Sequence, residues 1–244
     1  MIAINKLHSI AKERKIKMLT SYTSNIARFT QTIADILLVG DSLGMVLYNM
    51  PSTHGVTMEM MELHTKAVSS VTTQAIVIAD MPFGSFEVSK EIAFQNACRL
   101  IIAGANGVKI EGGEEISDTI TFLANRGIPV VGHIGLMPQK IHTIGSYSKI
   151  TNTDTIKHFQ SIQNAGASAI VMENIHDDIT NQIAKQFPNA LTIGIGAGTN
   201  CKGHVAVFED LINLSTENTP PFSHPIFDVK AHTIHLMKDY FNNL

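Results

Sequence analysis

The chain has 244 residues and a net charge of −3, and 44% of its residues are hydrophobic whereas only 16% are charged. It contains no basic cluster, which argues against a nucleic-acid partner. No apolar stretch approaches the roughly 18 residues that are needed to cross a bilayer, which argues against a membrane protein. The length is sufficient for one large domain with a substantial core, and we expect residues 1–244 to form a single domain.

The chain contains two cysteines, Cys98 and Cys201. Two cysteines cannot build a framework of disulfides, and this usage is typical of a reducing compartment. The first 15 residues contain no continuous apolar stretch of the kind that a secretory signal requires. We therefore predict a cytoplasmic protein.

Short, fully apolar runs recur along the chain, as is typical of strands that are buried on both faces of a parallel sheet. The segments between them have helical periodicity and helix-capping residues, among them Thr57 and Ser89. This alternation predicts an α/β fold, and the length favours a (β/α)8 TIM barrel. The seven runs, in chain order, are KMLTSY around Met18, ILLVG before Asp41, IVIA before Asp80, GVKI before Glu111, IPVVGHIG ending around His133, AIVM before Glu173 and LTIGIG around Ile193.

The eighth strand of such a barrel is not evident from the sequence. The segment HVAVFEDLINLS, which begins at His204, fits a strand and a helix equally well. The last segment has Ile234, Leu236, Met237 and Phe241 in helical register. We expect it to form a helix that docks on the outside of the barrel.

Four of the apolar runs end on an acidic residue, namely Asp41, Asp80, Glu111 and Glu173. Their spacing corresponds to one βα unit of roughly 30 residues, with one unit passed over before the last acid. Because the carboxyl ends of barrel strands meet at one mouth, these side chains are predicted to gather there. Carboxylates that are gathered in this way repel one another unless a cation or a proton is present.

These acids favour a magnesium site. Asp41 and Asp80 offer the oxygen ligands that Mg²⁺ prefers, and Glu111 completes the shell directly or through water. A magnesium ion with open positions polarises a carbonyl group and stabilises an enolate.

Further side chains at these strand ends fit the same chemistry. Lys109 has the strand parity of Glu111, so both side chains point to the same face. Glu173 lies farther round the barrel and suits a general base, because nearby acids and partial desolvation raise its proton affinity. Ser42 and His133 are candidates for hydrogen bonds to a substrate carboxylate or oxyanion, although a purely structural role is equally compatible with the sequence.

At these residues the chain closely resembles the ketopantoate hydroxymethyltransferase (3-methyl-2-oxobutanoate hydroxymethyltransferase) family. The resemblance implies a TIM barrel of the phosphoenolpyruvate/pyruvate type that binds one Mg²⁺ per subunit and forms a homo-oligomer, a decamer in the family. The matching segments span Met18 to Gly198 and read LLVGDSLGM, HTKAV, IADMPF, AGANGVKIEGGEE, IPVVGHIGLMPQ, ALTIGIGAG and, more weakly, VMEN.

The resemblance also implies an activity and a set of site residues. The family transfers a one-carbon unit from 5,10-methylenetetrahydrofolate to 3-methyl-2-oxobutanoate and releases 2-dehydropantoate and tetrahydrofolate. The base would be Glu173. By position, the magnesium ligands would be Asp41, Asp80 and Glu111, and the oxoacid contacts would be Asp41, Ser42, Asp80 and Lys109, with His133 as a nearby polar contact.

The chain departs from the family pattern at three places, which leaves folate binding and assembly open. Thr23 stands at a position that is usually acidic, the segment from Gly145 to Asn152 is altered, and Lys202 replaces an expected aspartate. Two alternatives therefore stay open. The alternatives to hydroxymethyl transfer are another Mg²⁺-dependent oxoacid lyase or aldolase of the same barrel group, acting without folate, and a catalytically idle, divergent subunit.

Overall fold

A closed barrel of eight parallel strands forms the centre of the molecule. The computed structural model describes residues 4, 6–145, 148–215 and 222–244, and all eight strands lie within these ranges. Each strand pairs with the next, and the last pairs with the first. The predicted (β/α)8 barrel is thus confirmed. The strands are β1 Ile16–Thr20, β2 Ile36–Val39, β3 Ile76–Asp80, β4 Gly107–Glu111, β5 Val130–Gly135, β6 Ala169–Glu173, β7 Thr192–Ile195 and β8 Gly203–Ala206.

Helices connect most of the strands, and two of the predicted caps are present. Thr57 accepts a hydrogen bond from the N–H of Met60, and Ser89 accepts one from the N–H of Ile92. None of the helices in the described ranges combines the length and the apolar character that crossing a bilayer requires. The α-helices are α1 Lys6–Glu13, α2 Ser24–Thr30, α3 Leu43–Tyr48, α4 Met58–Ser69, α5 Lys90–Ile102, α6 Ser117–Ala124, α7 Ile141–Ile144, α8 Asp154–Asn164, α9 Asp177–Gln186, α10 Phe208–Leu211 and α11 Val229–Asn242.

The strands separate two apolar clusters. In β2, Ile36 and Leu38 point into the barrel, whereas Leu37 and Val39 pack against the surrounding helices. This alternation is the period-two pattern that any strand imposes. Leu7 of α1 belongs to the interior cluster and is fully buried, so it helps to close the amino-terminal end of the barrel. The opposite end, where the strands terminate, is therefore the open mouth.

The ambiguous segment from residue 204 contains both a strand and a helix. Its first part belongs to β8, which pairs with both β1 and β7 and closes the barrel, and its second part forms α10. The connection between β7 and β8, residues 196–202, is fully described and contains no helix. Strand–helix alternation alone therefore does not identify the eighth strand, because no helix separates it from β7.

The buried carboxylate of Glu209 in α10 predicts a measurable dependence of stability on pH. Burial raises the pKa of Glu209 from an ordinary value of 4.5 to about 7, and its Oε2 atom has no hydrogen-bond partner. Between these two values the unfolded chain ionises first, so the free energy of unfolding falls as pH rises. Glu209→Gln is expected to remove this fall and to add up to about 3 kcal/mol at pH 8 but little at pH 4.

Urea unfolding at both pH values measures this effect, with Glu114→Gln at an exposed carboxylate as the control. A Glu209→Gln protein with the same difference in stability between pH 4 and pH 8 as the unmodified chain would contradict the burial of an ionising group here.

The prediction for the last segment is half wrong. The segment forms α11 as expected, but none of its residues is buried, so it does not dock on the barrel of its own chain. Ile234, Leu236, Met237 and Phe241 are each more than half exposed. A helical apolar pattern predicts an apolar face, but it does not specify which surface covers that face.

The three departures from the family pattern lie in different places. Thr23 caps α2, where its hydroxyl accepts a hydrogen bond from the N–H of Ile26. Lys202 directly precedes β8 and therefore lies at the amino-terminal end of the barrel, away from the mouth. In the altered segment from Gly145 to Asn152, residues 146 and 147 lie outside the described ranges.

Candidate active site at the barrel mouth

Strand register brings the predicted polar residues together in pairs. Lys109 of β4 stands beside Asp80 of β3, and its Nζ atom lies 3.1 Å from Asp80 Oδ2. Glu111 stands beside His133 of β5, and the His133 Nδ1 atom lies 3.1 Å from Glu111 Oε1. Lys109 and Glu111 point to the same side because they are two residues apart on one strand. All four side chains are buried at the mouth.

Asp41 reaches the same cluster from a loop. The strand β2 ends at Val39, two residues earlier than the carboxylate, and the backbone N–H of Asp41 donates a hydrogen bond of 3.1 Å to Asp80 Oδ2. A Cβ atom on Gly40 would lie only 2.8 Å from Ser42 Oγ and 3.4 Å from Asp80 Oδ2. The glycine therefore allows the loop to bring Asp41 close to Asp80.

Gln139 joins two of the acids, and the sequence did not single it out. Its Nε2 atom donates to Asp41 Oδ2 over 2.8 Å, and its backbone N–H donates to Glu111 Oε2 over 3.1 Å. It lies just beyond β5 in a short 3₁₀ helix, Pro138–Lys140. The only signal in the sequence was that a glutamine follows a predicted strand end within a family-like segment.

Glu173 lies at the end of β6, farther round the mouth, as predicted. Its side chain is 16% exposed, and its Oε2 atom lies 3.2 Å from His133 Nε2. That nitrogen has no partner with good hydrogen-bond geometry, so the contact is an ion pair rather than an aligned hydrogen bond. His133 thus stands between Glu111 and Glu173 and contacts both.

Electrostatic effects divide the acids into two groups. Burial, followed by repulsion from Asp80, raises the pKa of Asp41 well above its usual range. Burial also raises the pKa of Asp80, although Lys109 opposes this rise. Burial alone would raise the pKa of Glu111, but His133 and Lys109 bring it below its ordinary value. Asp41 is therefore the acid that gains most from a nearby cation.

The two basic groups remain protonated despite their burial. Burial lowers the pKa of Lys109, but three surrounding acids more than reverse this effect and leave the pKa raised. Burial and Lys109 both lower the pKa of His133, whereas Glu111 and Glu173 raise it, and the net result is about 9. The cluster around Lys109 and His133 therefore combines four acidic side chains, Asp41, Asp80, Glu111 and Glu173, with two cationic ones.

The donor set fits a hard divalent cation. Asp80 Oδ1 is buried and has no hydrogen-bond partner, which leaves one carboxylate oxygen of the cluster without compensation. In the described part of the chain, no three His, Cys, Asp or Glu side chains already lie close enough to enclose a metal ion by themselves. This is compatible with Mg²⁺, which takes one or two carboxylates and completes its shell with water or substrate oxygens.

A cavity of about 620 Å³ opens above the cluster. Its lining includes every predicted site residue. Its remaining wall is largely apolar and is formed by side chains from strands all round the barrel, such as Leu38, Val171 and Val205. Cavities of about 300–1,000 Å³ are typical of sites for small molecules.

Tyr22 is a second site residue that the sequence did not single out. Its buried hydroxyl hydrogen-bonds to Ser42 Oγ over 2.9 Å, and Ser42 lines the cavity. If Ser42 contacts a substrate as predicted, Tyr22→Phe should raise the KM for that substrate about twofold to tenfold at nearly constant kcat, because Ser42 loses the hydrogen bond that orients it.

Steady-state kinetics measures this split between KM and kcat. Tyr48→Phe is the matched control, because it removes a similar hydroxyl that bonds His64 Nε2 and does not line the cavity. If Ser42→Ala raised KM whereas Tyr22→Phe did not, Tyr22 would have no positioning role.

Comparison with known proteins places the chain in a family. The family model described as ketopantoate hydroxymethyltransferase matches residues 1–244. A Brucella canis protein named 3-methyl-2-oxobutanoate hydroxymethyltransferase is 45% identical over 222 residues, which cover 88% of this chain and 80% of the relative. A protein of the same name from Agrobacterium fabrum is 46% identical over 216 residues, covering 86% and 77% respectively.

Solved structures support the fold. Phosphonopyruvate hydrolase, solved with oxalate and Mg²⁺, superposes with a TM-score of 0.65 at 14% identity and covers 99% of this chain and 87% of that one. A 2,3-dimethylmalate lyase, a member of the PEP mutase/isocitrate lyase superfamily, gives a TM-score of 0.62 at 12% identity, with 100% and 85% covered. The sequence comparisons go further than the fold, and the chain belongs to the ketopantoate hydroxymethyltransferase family.

Proposed function

We propose that the chain transfers a hydroxymethyl group from 5,10-methylenetetrahydrofolate to 3-methyl-2-oxobutanoate in pantothenate biosynthesis. The reaction consumes one water and gives 2-dehydropantoate and tetrahydrofolate. Membership of the family supports this proposal, since the match extends over the whole chain. The observation that carries it in the structure is the buried cluster of carboxylates around Lys109 at the barrel mouth.

Asp41 and Asp80 would hold one Mg²⁺, and Glu111 would complete its shell directly or through water. The unpartnered Oδ1 atom of Asp80 and the raised pKa of Asp41, which is due first to burial, support this assignment. When bound, the ion would polarise the carbonyl group of the oxoacid and make its C3–H bond more acidic. Gln139 fixes the directions of the Asp41 and Glu111 carboxylates through its two hydrogen bonds.

The remaining polar side chains bind and orient the oxoacid. Ser42 donates a hydrogen bond to it, and the Lys109 ammonium compensates the negative charge of its carboxylate and of the developing enolate. Asp41 and Asp80 line the same part of the cavity and therefore also contact the bound oxoacid. His133 stands beside this group, held between Glu111 and Glu173.

Glu173 removes the proton from C3 of the oxoacid. Its carboxylate lines the cavity at the edge of the cluster and retains some exposure, so that it can reach a substrate and exchange a proton. Water releases the methylene carbon from N5 and N10 of the folate as formaldehyde, which leaves tetrahydrofolate. The C3 carbanion adds to that carbon, and the resulting alkoxide takes up a proton to give the hydroxymethyl group. Holding the two reactants in line contributes about 7–11 kcal/mol through proximity.

The test is direct detection of product. The purified chain, 3-methyl-2-oxobutanoate, methylenetetrahydrofolate and Mg²⁺ are mixed, and 2-dehydropantoate is measured by mass spectrometry with and without a chelator. Product that depends on both folate and Mg²⁺ supports the proposal. Cleavage of an oxoacid without folate would instead support a lyase or aldolase, and a folded chain that shows no reaction and binds no Mg²⁺ would support an idle subunit.

We propose that the chain is a homo-oligomer that acts in the cytoplasm as one barrel domain, residues 1–244. The exposed apolar side chains of α11, among them Leu236 and Tyr240, support assembly because single chains rarely leave such a face open to water. The free thiols of Cys98 and Cys201 are typical of a reducing compartment.

A further inference from the structure

We propose that Asp210 and the ring of Phe222 form a subsite for the 2-amino-4-oxo edge and the flat ring of a pterin. This inference rests on the proposed function, in which a folate donates the one-carbon unit, and it names the residues that recognise that folate. Neither residue belongs to the cluster that faces the oxoacid.

The size of the cavity leaves room for a second substrate. A cavity of about 620 Å³ is large enough for a drug-sized ligand, whereas the oxoacid is a short, branched molecule. The acids and Lys109 surround one part of the cavity. Asp210, Ser215 and Phe222 line a part formed after β8, and the carbon to be transferred must lie between these two parts.

The Asp210 carboxylate has free acceptor positions that a neutral ligand with several N–H donors would fill. The residue is 6% exposed, and within the described residues it makes no ion pair with a basic side chain. Burial raises the pKa of Asp210, whereas Ser223 and the Ser215 hydroxyl, which donates a hydrogen bond to Asp210 Oδ1, favour the ionised form. A carboxylate has about four acceptor positions, so acceptors remain free for a ligand.

A pterin supplies the matching donors. Its ring N3–H and its 2-amino group are adjacent N–H donors that point in the same direction, and a carboxylate accepts both at once. Hydrogen bonds to an ionised acceptor are about twice as strong as neutral ones, and the paired geometry adds specificity. An oxoacid carries no such donors and would be repelled by Asp210, so this end of the cavity discriminates between the two substrates.

Phe222 offers a flat apolar surface beside this carboxylate. Its ring packs directly on Gly196, where a Cβ atom would lie 2.8 Å from the ring. Gly196 also has a φ of 59°, so the backbone and the close approach both favour glycine here. Ile195, Val205 and Val207 continue the apolar wall. Flat conjugated rings stack well on an aromatic face of this kind.

The experiment measures binding and chemistry separately. Tetrahydrofolate is titrated calorimetrically into the full chain and into Asp210→Asn, which keeps the shape of the side chain but places an N–H₂ donor opposite the donors of the pterin. In parallel, deuterium exchange at C3 of 3-methyl-2-oxobutanoate is followed by NMR in D₂O without folate. Glu209→Gln is the matched control, since it removes the adjacent carboxylate, which does not line the cavity.

We expect Asp210→Asn to weaken tetrahydrofolate binding about tenfold to hundredfold, while the exchange at C3 stays unchanged. Phe222→Leu should weaken binding in the same direction, and Glu209→Gln should leave it unchanged. Tetrahydrofolate binding that is unaffected in Asp210→Asn would overturn the inference, as would a loss of exchange in that variant, because the role would then be a general structural one. An unmodified chain that neither binds tetrahydrofolate nor forms product would instead overturn the proposed function itself.

Discussion

Replacing Glu173 with glutamine is expected to lower the rate of proton exchange at C3 of 3-methyl-2-oxobutanoate by about 10²–10⁴-fold, the contribution that is typical of a positioned general base. Glutamine has nearly the same shape but cannot accept a proton at neutral pH. The substitution therefore removes the chemistry and keeps the packing. NMR in D₂O measures the exchange without folate, so the result does not depend on the second substrate.

The control for Glu173→Gln is Asp177→Asn, at an exposed carboxylate in α9 that follows the same strand and pairs with Lys149. We expect this control to exchange at the rate of the unmodified chain. A Glu173→Gln protein that still exchanged at that rate would show that another group takes the proton.

Replacing Lys109 with methionine should cost about 3–5 kcal/mol of unfolding free energy at pH 7, the typical effect of removing one partner from a buried ion pair. Lys109 is 5% exposed and lies 3.1 Å from Asp80 Oδ2. Without the ammonium group, the charge of Asp80 is buried without a cationic partner, beside two further acids. Chemical unfolding with a chelator present measures the loss, because a bound cation would otherwise mask it.

The double substitution Lys109→Met with Asp80→Asn tests the cause of that loss. If the destabilisation arises from an unpaired buried charge, neutralising Asp80 should recover a large part of the lost stability. Arg14 provides a contrast, because its ion pair with Asp35 is partly exposed and its removal should change stability by less than about 1 kcal/mol. A double variant as unstable as Lys109→Met would mean that Lys109 acts mainly through packing.

Much of the site was predictable because strand parity and strand ends are local properties. An apolar run that ends at Asp80 or Glu111 locates the mouth, and the two-residue spacing of Lys109 and Glu111 places both on one face. The pairing of Lys109 with Asp80 then follows from barrel register, which sets neighbouring strands side by side. The structure places these predicted residues at one mouth, although their roles in catalysis stay predictions.

The rest depends on contacts between distant parts of the chain, which no local pattern encodes. Gln139 hydrogen-bonds Asp41 across 98 positions, and Tyr22 meets Ser42 through two different βα loops. Asp210 reaches the cavity from a segment whose own pattern fitted a strand and a helix equally well. The same holds for α11: its sequence pattern predicts an apolar face, but not which surface covers that face.

Asp41 and Asp80 are expected to bind one divalent cation together at the barrel mouth. Calorimetric titration of Mg²⁺ into the metal-free chain, Asp41→Asn, Asp80→Asn and Glu173→Gln tests it most directly. We predict one Mg²⁺ per chain, affinity at least about tenfold weaker in each aspartate variant, and affinity close to that of the unmodified chain in Glu173→Gln. If Asp41→Asn and Asp80→Asn bound Mg²⁺ as tightly as the unmodified chain does, these two aspartates would not be the metal ligands.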